Sequence, residues 1–182
     1  MSVSKYPIHY SGVYDNSELD KIIETGEQAD LIEAKVEIRG EEVVNRKKRD
    51  TTISWIHPTE DNLWIFSKAS KVLSTAAIST LQTFQYSVYY LGGHYEWHRD
   101  TGGSAFLGKA RDAISNRVIA GSLQLSEPED YKGGILKLKT PEGILSVEKE
   151  RGMVTVFPAG WEHTVTPVTD GIRRTLVMWG LK

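Results

Sequence analysis

The chain has 182 residues, 40% of them apolar and 25% charged, with a formal net charge of −2. That length points to one domain with a sizeable core, and the charge balance offers no field that favours nucleic acid or an anionic membrane. There are no cysteines, which removes disulfides, cysteine-type zinc sites and thiol catalysis together and suits a reducing cytoplasm. Met1 to Pro7 show no apolar run after a basic patch, and no stretch nears the roughly 18 apolar residues of a membrane span, so neither a leader nor an anchor is expected.

In chain order, residues 1–14 suit a short strand and turn. Asp15-Asn16-Ser17 offers an N-cap, and Leu19, Ile22 and Ile23 then recur at helical spacing until Gly26. Residues 34–56 read as extended, with alternation in Ala34-Val36-Ile38 and again in Thr51-Ile53-Trp55. Between them lies Arg46-Lys47-Lys48-Arg49, which by default is a solvated turn and alternatively a docking point for an acidic partner. Pro58-Thr59 before Glu60 and Asp61 marks a helix start. Leu63, Phe66, Ser70, Leu73 and Ala77 form one face, which predicts a long helix over 60–79. From Leu81 short β-rich runs alternate with Gly, Pro and Asp turns: 83–90, 118–125, 135–139, 144–147, 153–157, 163–167 and 174–179. Strands at this spacing predict a sandwich or barrel, and helices followed by many strands predict an α+β fold with helices buttressing one sheet.

His98-Arg99-Asp100, with His163 65 residues after His98 and Arg173 ten residues further on, is the chemically richest set. Two imidazoles and one carboxylate hold one face of an octahedral Fe(II) and leave the other face open to substrates. Residues at i and i+2 on a strand share a face, so His98 and Asp100 can reach one ion. Alone, that pair fits surface hydrogen bonding as well; His163, after a strand end and turn, supplies the third ligand if a sandwich brings its strand alongside. His94-x-Glu96-x-His98 has the i, i+4 pair of a helical zinc site. However, the zinc-peptidase motif places Glu directly after the first His, and Gly92-Gly93 argues against a helix. His94 is therefore expected in a loop or pocket wall, and His9 and His57 as ordinary surface or core residues. Arg173, Thr175, Val177 and Trp179 alternate with Arg174, Leu176 and Met178. If one face points into a barrel, one of the two arginines is buried and needs a carboxylate partner, either a 2-oxo diacid or a structural Asp or Glu. Parity does not say which arginine it is.

These residues resemble the Fe(II)- and 2-oxoglutarate-dependent dioxygenases, in particular their prolyl-4-hydroxylase-like branch. The likeness runs from Gln82 to Trp179, 98 residues. It rests on Tyr89-x-x-Gly92-x-x-Tyr95-x-x-His98-x-Asp100, on Tyr131-Lys132-Gly133-Gly134-Ile135-Leu136, and on His163-x-Val165-x-Pro167-Val168-x-x-Gly171-x-Arg173. The resemblance implies Fe(II) on His98, Asp100 and His163. It selects Arg173 for the far (C5) carboxylate of 2-oxoglutarate, with Tyr89 on the same carboxylate. Leu136 and Val177 would line the aliphatic part of that pocket. Gln124 stands where some relatives place a second tyrosine, a departure at a cosubstrate position. The implied fold is a double-stranded β-helix, the jelly roll shared with cupins. The fold class is then α+β, mainly β, with N-terminal helices packed on the major sheet. It is a single domain over 1–182, with residues 1–80 as support and 81–182 as the core that holds the site.

The implied reaction consumes 2-oxoglutarate and O2, with ascorbate as a possible helper, hydroxylates a C–H bond and releases succinate and CO2. The same ligands accept Mn, Co, Ni or Zn. The branch implies a prolyl residue of a peptide or protein as acceptor. The alternatives are a small metabolite, free amino acid or nucleotide under the same chemistry, and a non-redox jelly-roll metalloenzyme, which would have no need of the Arg173–Tyr89 clamp. Nucleic acid and membrane partners are not expected. Tyr95, Trp97 and Trp161 are candidate substrate contacts, the two tryptophans having core packing as their alternative. Thr101–Asn116, bearing Gly102-Gly103 and Gly108, is either a lid over the site or a plain surface connection.

Overall fold

The computed structural model describes residues 7–38, 41–74, 76–101 and 116–182. The elements of the first half are β1 (Ile8–Tyr10), α1 (Asn16–Gln28), β2 (Ile32–Glu33), β3 (Val36–Ile38), β4 (Glu41–Val43), β5 (Arg49–Asp50), β6 (Thr52–Ile56), α2 (Leu63–Leu73), β7 (Thr80–Leu81), β8 (Phe84–Tyr89) and β9 (His94–His98). Then follow β10 (Arg117–Gln124), β11 (Tyr131–Gly133), β12 (Leu136–Thr140), β13 (Gly143–Ser146), β14 (Val154–Pro158), β15 (His163–Val165), β16 (Val168–Gly171) and β17 (Arg173–Leu181).

An eight-stranded sheet runs β1-β14-β10-β17-β8-β6-β2, with β7 also beside β17. A five-stranded sheet runs β13-β12-β15-β9-β5. The pairs are antiparallel throughout, which is the jelly-roll arrangement. Alternation decides what each face of the major sheet meets. On β8, Phe84, Tyr86 and Val88 join Leu123, Leu176 and Met178 against the helices. Tyr89, Ala120 and Trp179 on the opposite face meet Leu136, Leu138 and Val165 of the minor sheet. The mainly β, two-sheet fold therefore has two cores: one under the helices and one between the sheets.

Asp15 caps α1 through a reciprocal box with Glu18, and Leu19, Ile22 and Gly26 are buried against the sheet. Gly26 has a packing reason: a Cβ there would stand 2.3 Å from Cγ of Tyr86. The second helix corrects the expectation of 60–79, being only Leu63–Leu73. Its buried stripe is Ile65, Phe66, Ala69, Val72 and Leu73, while Leu63 is exposed. Adjacent apolar pairs one turn apart set the face that meets the sheet, with Phe66 stacked 4.0 Å over Phe84. The helix closes at Ser74, whose N–H donates to the carbonyl of Ser70, and the chain turns back toward the sheet by Thr80.

Residues 1–80 do more than support the sheets from outside. β1 pairs with β14, β6 with β8, β2 with β6, and β5 with β9, so early strands extend both sheets. Arg46, Lys47 and Lys48 form the expected turn, but Arg49 leaves it, enters β5 and is buried. His94, expected in a loop or pocket wall, opens strand β9. Among the described residues no helix is long and apolar enough to cross a membrane. The expected lid over 101–116 lies outside the described residues except at its ends, Thr101 and Asn116.

Candidate metal centre

His98 ends β9 and pairs across the sheet with His163 on β15. The register slips by one residue here: His163 and Val165 are two positions apart, while their partners His98 and Tyr95 are three apart. An extra residue on one strand resets alternation. Tyr95 and His98 therefore both face inward, with rings stacked at 3.4 Å, while Trp97 turns out to solvent beneath Lys139.

The ligating atoms of His98, Asp100 and His163 all lie within 4.8 Å of one another. Asp100 Oδ1 is 3.6 Å from Nε2 of His98 and 3.5 Å from Nε2 of His163. Neighbouring ligands of an octahedral ion with bonds of about 2.1 Å lie about 3 Å apart, so the spacing fits one shared ion. The donor chemistry fits as well. Nδ1 of His98 lies 2.8 Å from the carbonyl of Glu96, and Nδ1 of His163 lies 3.0 Å from that of Trp161. A ring nitrogen facing a carbonyl must carry the proton, so each neutral imidazole turns a bare Nε2 toward the common point. Asp100 is oriented in the same way, its Oδ2 accepting from Nε1 of Trp179 at 2.8 Å, which leaves Oδ1 for an ion.

Burial and the neighbouring His163 bring the His98 imidazole down to about 3, so it is neutral near pH 7. Burial works against the Asp100 carboxylate, but the adjoining His163 and His98 outweigh it and hold the group below the usual range. His163 is shifted up: burial opposes its charged form, and Asp100 overrides it.

A cavity of about 360 Å³ opens from this cluster. It is lined by Arg173, Tyr89, Leu136, Val177 and Tyr95 among the anticipated residues. Arg173 is 3% exposed, its guanidinium sits 5.0 Å from the ring of its cross-strand partner Tyr89, and its Nε has no hydrogen-bond partner. Gly134, at φ +56, makes room for it, since a Cβ there would stand 2.9 Å from Cδ of Arg173. Arg174 faces the other way and donates to Glu27 of α1 at 2.9 Å.

Three anticipated residues are placed elsewhere. Gln124 is outside this cavity, behind Arg173, where it donates to the Tyr131 hydroxyl at 3.0 Å. Its role is thus to hold Tyr131, a phenol beside Arg173. Trp97 points outward for the reason given above. Trp161 packs against the inter-sheet core and does not line the cavity. Sequence reasoning missed Trp179, Tyr131, Arg117 and Arg49. Arg117 donates to Gln82 at 2.7 Å and to the Asp100 carbonyl at 3.4 Å, and lies 3.7 Å over the Trp179 ring. Parity was the available signal for one of them: Trp179 shares a strand face with Arg173, whereas Arg49 stands on β5 of the minor sheet and meets Ile53 and Trp55 of the major sheet only across the cavity they all line.

Comparison with known proteins agrees with this geometry. The sequence profile described as 2OG-Fe(II) oxygenase superfamily matches residues 84–180. A PKHD-type hydroxylase of Synechococcus sp. (strain JA-2-3B'a(2-13)) is 38% identical over 93 residues, 51% of this chain and 40% of the relative. The chain thus spans less than half the length of that relative. Among solved structures, a Pseudomonas putida prolyl-4-hydroxylase superposes with a TM-score of 0.71 at 19% identity, over 97% of this chain and 92% of that one. A Trichoplax adhaerens prolyl hydroxylase, solved with a hypoxia inducible factor oxygen degradation domain peptide fragment, gives 0.72 at 16% identity, over 98% and 84%. At those identities the likeness is one of fold. With the profile covering more than half its length and ending on the strand that carries Arg173 and Trp179, this chain belongs to the 2OG-Fe(II) oxygenase superfamily.

Proposed function

We propose that this protein is an Fe(II)- and 2-oxoglutarate-dependent hydroxylase acting on a prolyl residue of a peptide or protein. The observation that carries the reading is one cavity with His98, Asp100 and His163 on its wall and a buried Arg173 whose Nε has no hydrogen-bond partner. When bound, Fe(II) with 2-oxoglutarate and O2 supplies the oxidising power that converts a C–H bond to C–OH, with succinate and CO2 as the other products. The chain's own residues bind and orient. Arg173 offers its fork of donors to the C5 carboxylate of 2-oxoglutarate, an ion pair that a buried guanidinium needs. Tyr89 and Tyr131 flank that guanidinium, and Leu136 and Val177 enclose the chain between the two carboxylates. The carbonyls of Glu96 and Trp161 keep the protons of His98 and His163 on Nδ1, and Trp179 steers Asp100.

The prolyl acceptor is supported by the two prolyl hydroxylases of similar fold, one of them solved with a peptide fragment. Tyr95 lines the cavity with its ring packed against both His98 and the Arg49 guanidinium, an aromatic wall beside the metal cluster. The setting proposed is the cytoplasm, with which a chain free of cysteine is compatible.

An anaerobic titration tests the core of the reading: Fe(II) plus 2-oxoglutarate should give a weak visible charge-transfer band, absent in His163→Ala. Admission of air should yield succinate. A set of prolyl peptides should contain members that gain 16 Da. If free amino acids or nucleotides gained that mass and no prolyl peptide did, the acceptor assignment would be wrong and the oxygenase assignment would stand.

A further inference from the structure

The cavity contains a second buried guanidinium that 2-oxoglutarate does not explain. Arg49 is 8% exposed and stands opposite Tyr95 in the β5–β9 pair. Its guanidinium lies 4.5 Å over the Tyr95 ring, and that ring stacks on His98. One ring layer, that of Tyr95, therefore separates Arg49 from a metal ligand. Its Nε is buried without a hydrogen-bond partner, and among the described residues no carboxylate pairs with it.

An unpaired buried charge weakens a fold, so its retention calls for a ligand. The cavity's other charges have partners or face water. Arg117 is tied to Gln82 and the Asp100 carbonyl, and Asp100 serves the metal centre and Trp179. Glu33 pairs with Arg46, and Lys35, Glu42 and Arg99 are exposed. The charges of Fe(II), the 2-oxoglutarate dianion, Asp100 and Arg173 cancel. Arg49 and Arg117 then leave the acceptor side of the cavity positive.

Building on the hydroxylase reading above, we propose that the acceptor peptide carries a carboxylate close to the hydroxylated carbon, and that Arg49 binds it. The stacking order of Arg49, Tyr95 and His98 sets the distance to about two residues, at about 3.5 Å per extended residue. An acidic side chain and a free C-terminus offer the same planar pair of oxygens to the guanidinium fork.

The test uses acetylated prolyl peptides with Asp one or two residues before or after proline, each with its Asn counterpart, as C-terminal acids and amides. Calorimetry on the Mn(II)- and 2-oxoglutarate-loaded protein reads binding. At least one carboxylate peptide should bind about tenfold or more tighter than its neutral twin, as expected for a charge-assisted pair. Arg49→Gln should erase that difference and Arg49→Lys should retain part of it. Preference for Asp in the amide series assigns an acidic side chain, and preference for the acid series alone assigns a C-terminus; both support the proposal. Equal binding of the twins, no binding by any peptide, or a preference that survives Arg49→Gln overturns it. Arg49→Gln should also melt at or above the wild-type temperature, because it removes an unsatisfied charge; a drop of several degrees would make Arg49 structural and overturn the proposal. Peptide-independent succinate formation by the wild-type Fe(II) protein tests the oxygenase reading separately. Succinate without any carboxylate preference defeats only the Arg49 assignment.

Discussion

The two oxygens of Asp100 face different partners, and that division is set by a residue 79 positions away in sequence, Trp179. Trp179→Phe keeps the packing against Arg117 and Trp55 but removes the donor to Oδ2. Loss of such a supporting bond typically costs about 10–100-fold in metal affinity. Mn(II) titration should show a loss in that range, with far-UV circular dichroism unchanged. Arg173 and Arg174 separate cosubstrate binding from stability. Arg173→Ala should raise the apparent KM for 2-oxoglutarate more than tenfold, from a charge-assisted pair worth about 1.5–3 kcal/mol. Arg174→Ala should leave that KM within about twofold, since a half-exposed pair with Glu27 is worth about 0.5 kcal/mol of stability and touches no part of the cavity. Succinate assays across 2-oxoglutarate concentration distinguish the two variants; equal effects would refute the facing.

At the level of elements, β9 and α1 show local rules yielding to packing. Strict alternation on β9 would send Tyr95 and His98 to opposite faces. The one-residue slip against β15 brings them together and gives the site an aromatic wall. On α1, helix propensity alone favours Gly26→Ala by up to about 1 kcal/mol. The structure predicts the reverse sign. The added Cβ would fall 2.3 Å from the ring of Tyr86, which is fully buried and has nowhere to retreat. Overpacking of this kind costs about 1–3 kcal/mol. Urea denaturation should give a lower midpoint for Gly26→Ala, and a higher one would mean that the α1–β8 contact is looser than described.

Across the whole molecule the site depends on both sheets. Asp100 follows a strand of the minor sheet, yet the Trp179 that steers it lies on the major sheet. The helices cover the far face of the major sheet, and the strands of residues 1–80 extend both sheets at their edges. A chain tied together in this way is expected to unfold as one unit. Near-UV and far-UV circular dichroism melts should coincide. Two separated transitions, with residues 1–80 released first, would show that the N-terminal part is an independent support.

Much of the chemistry was legible in the residues themselves. His98 and Asp100 stand two positions apart and Arg173 ten after His163, and side-chain type alone restricts what two imidazoles, a carboxylate and a guanidinium can hold. The capping box of α1 and most strands from Phe84 onward were also legible, because alternation and turn residues are local signals. The α2 stripe, the inward turn of Tyr95 and the outward turn of Trp97 were not. Each depends on which of two faces a neighbouring element covers, and a single inserted residue reverses that. Arg49 is the sharpest case: in sequence it closes a basic run that reads as solvated, and in the fold it is the only member of the run to enter a strand. A residue's own chemistry is written at its position, whereas its burial is decided by chain that arrives from elsewhere.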